Sequence, residues 1–162
     1  MEIINEANEK FKDKQADICE PLFELLRKVN ALEKEIYERN EGLEIKKEEL
    51  GIENEFTSED EELWAEYKKR LGEILKPYCM ENLYKNCGGS FGSPQKYGYI
   101  DGECRVNFIM KSAKKAVVET HYKSGIDKKH KFVFKNIDDK WLLCEVYYGF
   151  EDEDSWYSDS VQ

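Results

Sequence analysis

The densest run of side chains able to do chemistry is Tyr147-Tyr148-Gly149-Phe150 leading into Glu151-Asp152-Glu153-Asp154-Ser155-Trp156-Tyr157. Aromatic rings interleaved with carboxylates suit a protein interface, where rings supply buried anchors and charges steer and orient the partner. On that ground Tyr147, Tyr148, Glu151, Asp152, Glu153, Asp154, Trp156 and Tyr157 form the candidate partner-binding set. A partner with a basic surface, such as a nuclease, fits it. The competing reading is a solvated acidic tail over 151–162 whose Trp156 folds back on the domain, because acidic runs often serve only solubility.

The remaining constellations point away from catalysis and metal binding. Zinc sites use close pairs such as Cys-x-x-Cys, whereas Cys79 and Cys87 are eight apart and His121 and His130 nine apart. No metal and no cofactor is expected. A general base must face its substrate. His121 shares a strand face with Glu119 and Lys123, His130 follows Lys128-Lys129 and reads as solvated, and Asp101 beside Gly102 suits a turn. No catalytic residue is assigned. Gly88-Gly89-Ser90-Phe91-Gly92 is glycine-rich but lacks the Gly-Lys-Ser/Thr of a phosphate loop, so it reads as a turn between two halves of the chain.

Composition narrows the class. The 162 residues are 40% hydrophobic and 13% aromatic, enough for a core, while 37% are charged and the formal net charge is −10. That charge is uneven: residues 1–95, 96–140 and 141–162 carry −9, +5 and −6. An acidic total argues against nucleic acid as the partner, since phosphate neutralisation needs surplus Lys and Arg. No run approaches the ~18 apolar residues of a membrane span, so no membrane partner is expected. The start, Met1-Glu2-Ile3-Ile4-Asn5-Glu6, lacks the pattern of a signal peptide. The five scattered cysteines read as reduced thiols, with Cys144 in the core and the others partly exposed. Together these imply a cytoplasmic location.

One domain over 1–162 must position the candidate set. Ile18, Leu22, Leu25, Val29, Leu32 and Ile36 recur every three or four residues, a helix stripe. Pro21 marks its start or a bend, and Gly42 a plausible stop. Residues 42–57 read as a link with a short helix around Ile45–Leu50. Ser58 and Glu61 make a capping box for a second helix carrying Leu63, Tyr67, Leu71, Ile74, Leu75 and Tyr78, which Pro77 bends or ends. After Gly89 the periodicity becomes that of strands: Arg105–Lys111, Ala116–Lys123, Lys131–Ile137 and Trp141–Tyr148, with Tyr97–Asp101 a further piece of extended chain. Connectors this short force antiparallel hairpins. In the last strand Leu142, Cys144, Val146 and Tyr148 should oppose Trp141, Leu143, Glu145 and Tyr147. The fold class is α+β, with N-terminal helices (about 1–88) packed on a curved C-terminal antiparallel sheet (about 96–150).

From Phe91 onward the chain resembles a bacterial family of immunity proteins with the nuclear-transport-factor-two-like fold. The resemblance rests on Ser93-Pro94-Gln95-Lys96-Tyr97, on Lys114-Lys115-Ala116-Val117-Val118-Glu119-Thr120, on Phe132-Val133-Phe134-Lys135 and on Lys140-Trp141-Leu142-Leu143. The helix Leu63–Tyr78 looks like the one that precedes that family's loop. It implies a cone in which long helices lie in the concavity of a curved sheet. It also implies an antidote that binds and neutralises a cognate toxin domain made by the same or a sister cell. Two alternatives remain: a small-molecule enzyme of the same fold, of isomerase or dehydratase type, and a homodimeric scaffold using the aromatic strand face. Whether the chain is a monomer or a homodimer stays open.

Overall fold

The computed structural model describes residues 1–162. A strand β1 (Glu2–Asn5) and a 3-10 turn (Glu9–Lys14) precede three helices, α1 (Gln15–Glu49), α2 (Ser58–Leu75) and α3 (Glu81–Lys85). A second 3-10 turn (Gly98–Asp101) leads into β2 (Cys104–Ser112), β3 (Lys115–Ser124), β4 (Ile126–Ile137), β5 (Lys140–Phe150) and β6 (Tyr157–Asp159). The sheet order is β1-β2-β3-β4-β5-β6; β1 joins β2 in parallel and every other pair is antiparallel. The molecule is α+β, with its helices against one face of the sheet.

The α1 stripe behaves as its spacing demands: Ile18, Leu22, Leu25, Val29, Leu32 and Ile36 are all buried. Pro21 lies in the second turn of α1, and the helix continues through it. Gly42 does not stop the helix, and residues 42–57 are not a link with a separate short helix. Gly42 is exposed mid-helix, where glycine costs only about 1 kcal/mol relative to alanine. Beyond it Lys47, nearly enclosed, reaches Asp60 at 3.2 Å, a contact that holds the last turns of α1 against the start of α2.

The capping box at that start uses the neighbouring residues, Thr57 and Asp60, instead of Ser58 and Glu61. Thr57 Oγ1 accepts from the Asp60 amide at 3.3 Å, and Asp60 Oδ2 accepts from the Thr57 amide at 2.7 Å. α2 then buries Leu63, Tyr67, Leu71 and Leu75 and ends before Pro77, as expected for a residue that disfavours helix ahead of it.

The inner face of the sheet presents Val106, Phe108, Met110, Ala116, Val118, Phe132, Phe134, Leu143 and Val146 to the helices, completing one core. Tight turns close the meander. Asp138 and Asp139 both take positive φ (52° and 63°), the two-residue geometry that matches sheet twist. A bulge interrupts the simple alternation expected of β5. Val133 pairs with Glu145 but Phe134 pairs with Leu143, so Cys144 is the extra residue. Leu143 and Val146 therefore share the inner face, and the strand bends there.

Four further expectations need correcting. Residues Glu2–Asn5 form a sheet edge, so the helical part does not extend to the first residue. Tyr97–Asp101 is largely a 3-10 turn, not extended chain. The sheet continues past residue 150, because Tyr157–Asp159 pairs with Val146–Tyr148 as β6. Residues 151–162 are accordingly no solvated tail. Val161 and Gln162 are buried, with Tyr97 Oη donating to the Val161 carbonyl at 2.6 Å and the Gly88 amide to that of Gln162 at 2.9 Å.

The cap assignment is directly testable by calorimetry. Thr57→Ala should cost about 1 kcal/mol, or a melting point lower by roughly 2–4 °C for a chain of this size. Ser58→Ala should stay within about 0.5 kcal/mol of the unaltered protein.

Candidate functional site

The eight candidate binding residues come together on one hairpin, β5–β6, but not on one face. Register places Tyr147 opposite Ser158 on the outer face, away from the helices, and Tyr148 opposite Tyr157 on the inner side. The Tyr148 and Tyr157 rings stand 5.3 Å apart, both exposed. Tyr147 lies on the outer face beside Lys131, whose ammonium is 4.8 Å from its ring centre.

Between the strands the turn 151–156 folds back over the outer face. The Trp156 ring covers two lysines of β4, with the Lys129 and Lys131 ammonium groups 4.3 and 4.6 Å from it. Such contacts contribute about 0.5–2 kcal/mol each. Lys129 Nζ also donates to the Glu153 carbonyl at 2.8 Å, and the Glu151 amide donates to the Asp127 carbonyl at 3.1 Å. Glu151 reaches His121 on β3, and the Tyr157 hydroxyl donates to Glu153 Oε2 at 2.8 Å. Asp152 and Asp154 make no hydrogen bond or ion pair to the rest of the chain and stand in solvent.

Gly149 permits this close fold. A Cβ there would meet Lys129 Cε at 2.8 Å and the Ser155 carbonyl oxygen at 2.9 Å. Sequence reasoning assigned Gly149 no role. The signal was its place between aromatic residues in a strand, where glycine often marks close approach of backbone.

His121 is the clamp on the outer side. Its Nδ1 meets Glu151 and its Nε2 lies 3.5 Å from Glu119. Burial works against its charge, but the nearby carboxylates of Glu119 and Glu151 outweigh that and hold its pKa above the ordinary value. Glu119 is lowered in return, chiefly by its bond to His121.

His130 is not solvated. Because it alternates with Lys129 and Lys131, it points inward, is 5% exposed, and lies almost parallel to Tyr99 and Tyr122. Its Nδ1 is 2.8 Å from the Tyr99 hydroxyl, which is 2.7 Å from Thr120 Oγ1. Burial, with Lys96 and Lys128 adding to it, pushes its pKa down to about 3. A neutral imidazole of so low a pKa is better suited to donating a hydrogen bond than to taking a proton near neutral pH.

The thiols are quieter than expected. Cys19, Cys79 and Cys104 are buried with Cys144, while Cys87 is half-buried and none is paired. Burial pushes Cys19 and Cys79 up to about 12, far from the thiolate that reactivity needs. No group of three His, Cys, Asp or Glu side chains is placed to hold a metal ion. No helix is long and apolar enough to cross a membrane.

The two histidines should shape stability against pH in opposite directions. His121, raised in the fold, contributes fully below the unfolded value near 6.5, and its contribution is lost as pH climbs through its folded value. His130, lowered to about 3, destabilises as pH falls from about 6.5, because the unfolded chain then binds the extra proton, at up to about 1.4 kcal/mol per pH unit. Urea midpoints measured from pH 4.5 to 8.5 should peak between these limits. His130→Phe should flatten the acid side, and His121→Ala the alkaline side while speeding amide exchange in residues 151–156.

Compared with known proteins, the chain matches no family model, no curated protein and no solved structure.

Proposed function

We propose that this chain is an immunity protein that binds a cognate toxin domain and blocks it stoichiometrically, with the acidic β5–β6 turn as its principal contact. The observation that carries the reading is a fixed turn bearing four exposed carboxylates, Glu151, Asp152, Glu153 and Asp154. His121, Lys129 and Trp156 hold the turn on the sheet before any partner arrives.

Preorganisation supports binding because less side-chain and loop freedom remains to be lost on association. Unpaired surface carboxylates on a rigid support raise the encounter rate with a basic partner and orient it. The residues that resemble the immunity family, Lys114–Thr120, Phe132–Lys135 and Lys140–Leu143, build the strands on which this turn rests. In this reading the protein works in the cytoplasm, on a toxin whose own surface is basic.

Three substitutions test it: Asp152→Lys, Glu153→Lys and Asp154→Lys together, leaving Glu151 to keep its bond to His121. The partner is the toxin domain encoded beside this gene, if one is present there. Stopped-flow association at low salt should slow about tenfold or more, and co-expressed cells should lose protection. Unchanged affinity after the triple reversal would rule out the turn as the contact. Absence of any binding by the unaltered protein would overturn the immunity reading itself.

A further inference from the structure

We propose that the cleft where β3, β4 and β5 end on the inner face of the sheet binds a small planar anion, an aromatic carboxylate, with His130 donating to it. This site lies across the sheet from the acidic turn and does not depend on the immunity reading.

Strand register assembles the cleft in two rows. One runs Thr120, His130, Tyr148 and Tyr157, and the next runs Tyr122, Lys128 and Phe150. A lysine therefore stands between two aromatic rings, beside a row whose centre is an enclosed imidazole. The cleft lined by Tyr122, Lys128, His130, Tyr148 and Phe150 of these rows holds ≈ 590 Å³, within the range of small-ligand sites. Lys128 and Lys123 on its rim have no carboxylate partner, whereas Lys96 is committed to Asp159 at 3.0 Å and to the Ser160 carbonyl at 2.9 Å.

Hydrogen-bond accounting fixes what His130 offers. Thr120 is fully buried, and the Tyr99 hydroxyl is the single hydrogen-bond partner of its Oγ1. If His130 Nδ1 donated to Tyr99, Tyr99 would donate to Thr120, and the Thr120 proton would be left buried without an acceptor. That outcome costs the desolvation of a hydroxyl. In the opposite direction Thr120 donates to Tyr99 and Tyr99 donates to Nδ1, and every buried proton has an acceptor. The single imidazole proton then sits on Nε2, which has no hydrogen-bond partner in the chain and belongs to a residue that lines the cleft.

A neutral N–H donor at the floor and two free ammonium groups at the rim call for an acceptor of negative charge. The rings of Tyr122 and Phe150 on either side of Lys128 favour a flat apolar body attached to that charge, which a bare oxyanion lacks.

Benzoate is the probe. Nitrogen-detected NMR of the full chain should first show the His130 proton on Nε2. Titration should then shift that resonance saturably, with a dissociation constant of about 1 mM or tighter. His130→Phe, which keeps the ring but removes the donor, should weaken benzoate at least tenfold, as should Lys128→Gln. If His130→Phe fails to fold, Lys128→Gln and the Nε2 titration of the unaltered chain decide the matter. A proton on Nδ1, no saturable shift at tens of millimolar benzoate, or equal affinity in the folded variants would overturn the site. Acetate or inorganic phosphate binding as tightly as benzoate would overturn its aromatic selectivity. Reversal of Asp152 and Asp154 alone, the two carboxylates of the turn that make no bond within the chain, should leave benzoate binding unchanged, so failure of either reading is distinguishable from failure of the other.

Discussion

The structure depends on two polar side chains on α1 that hold down the loop between the helices and the sheet. Glu33, 2% exposed, accepts the backbone amides of Gly92 and Lys96, both at 2.9 Å, and Asn30 accepts that of Tyr97 at 3.1 Å. Residues 88–97 form no helix or strand, so the amides of Gly92, Lys96 and Tyr97 have no ladder partner and take these side-chain acceptors instead. Both candidate sites follow from this attachment. Tyr97, once placed, receives the C-terminal segment, and the following turn delivers Tyr99 to His130. Lys96, fixed by the same bonds, holds Asp159 and Ser160 and with them β6, the far end of the acidic turn.

The charge pattern has a corresponding logic. Much of the charge on the helices cancels across the α1–α2 seam: Glu35 meets Arg39 and Arg70, Glu66 meets the same two arginines, and Lys46 meets Glu59. Exposed pairs of this kind add little individually, but they select one alignment of two long helices. On the sheet the lysines at the centre of the outer face are covered by the turn. Two carboxylates without partners, Asp152 and Asp154, stand at its tip.

Much of the fold was legible because its signals are local. The α1 stripe, α2 and the four-strand meander were readable from spacing and turn residues alone. What escaped depends on distant partners. Gly42 looked like a stop because the interaction that extends α1, Lys47 with Asp60, is formed by residues thirteen apart on different helices. β1 and β6 are four and three residues long, too short to carry a period, and exist only because β2 and β5 offer them edges. Alternation within β5 failed at Cys144 because a bulge is a property of a pair of strands. Of the candidate site, the composition of the aromatic and acidic run was visible, but its division between two faces was not. Lys128-Lys129 made His130 look wet. The register that sends Lys129 outward and His130 inward was implicit in the alternation of β4, and its burial required Tyr99, which arrives from another part of the chain.

β4 is the element the two sites share. Lys129 and Lys131 face outward to the turn, while Lys128 and His130 face inward to the cleft, so consecutive residues serve opposite surfaces. A pleated strand transmits little between its faces as long as its ladder stays intact, because each side chain is held by its own neighbours across the sheet. Lys129 is held by Trp156 and the Glu153 carbonyl, and His130 by Tyr99. The main link between the two surfaces is then the Tyr157 hydroxyl, which joins the inner-face row to Glu153 of the turn. Loss of β4 pairing would disable both, which makes the β3–β4–β5 ladder the common scaffold.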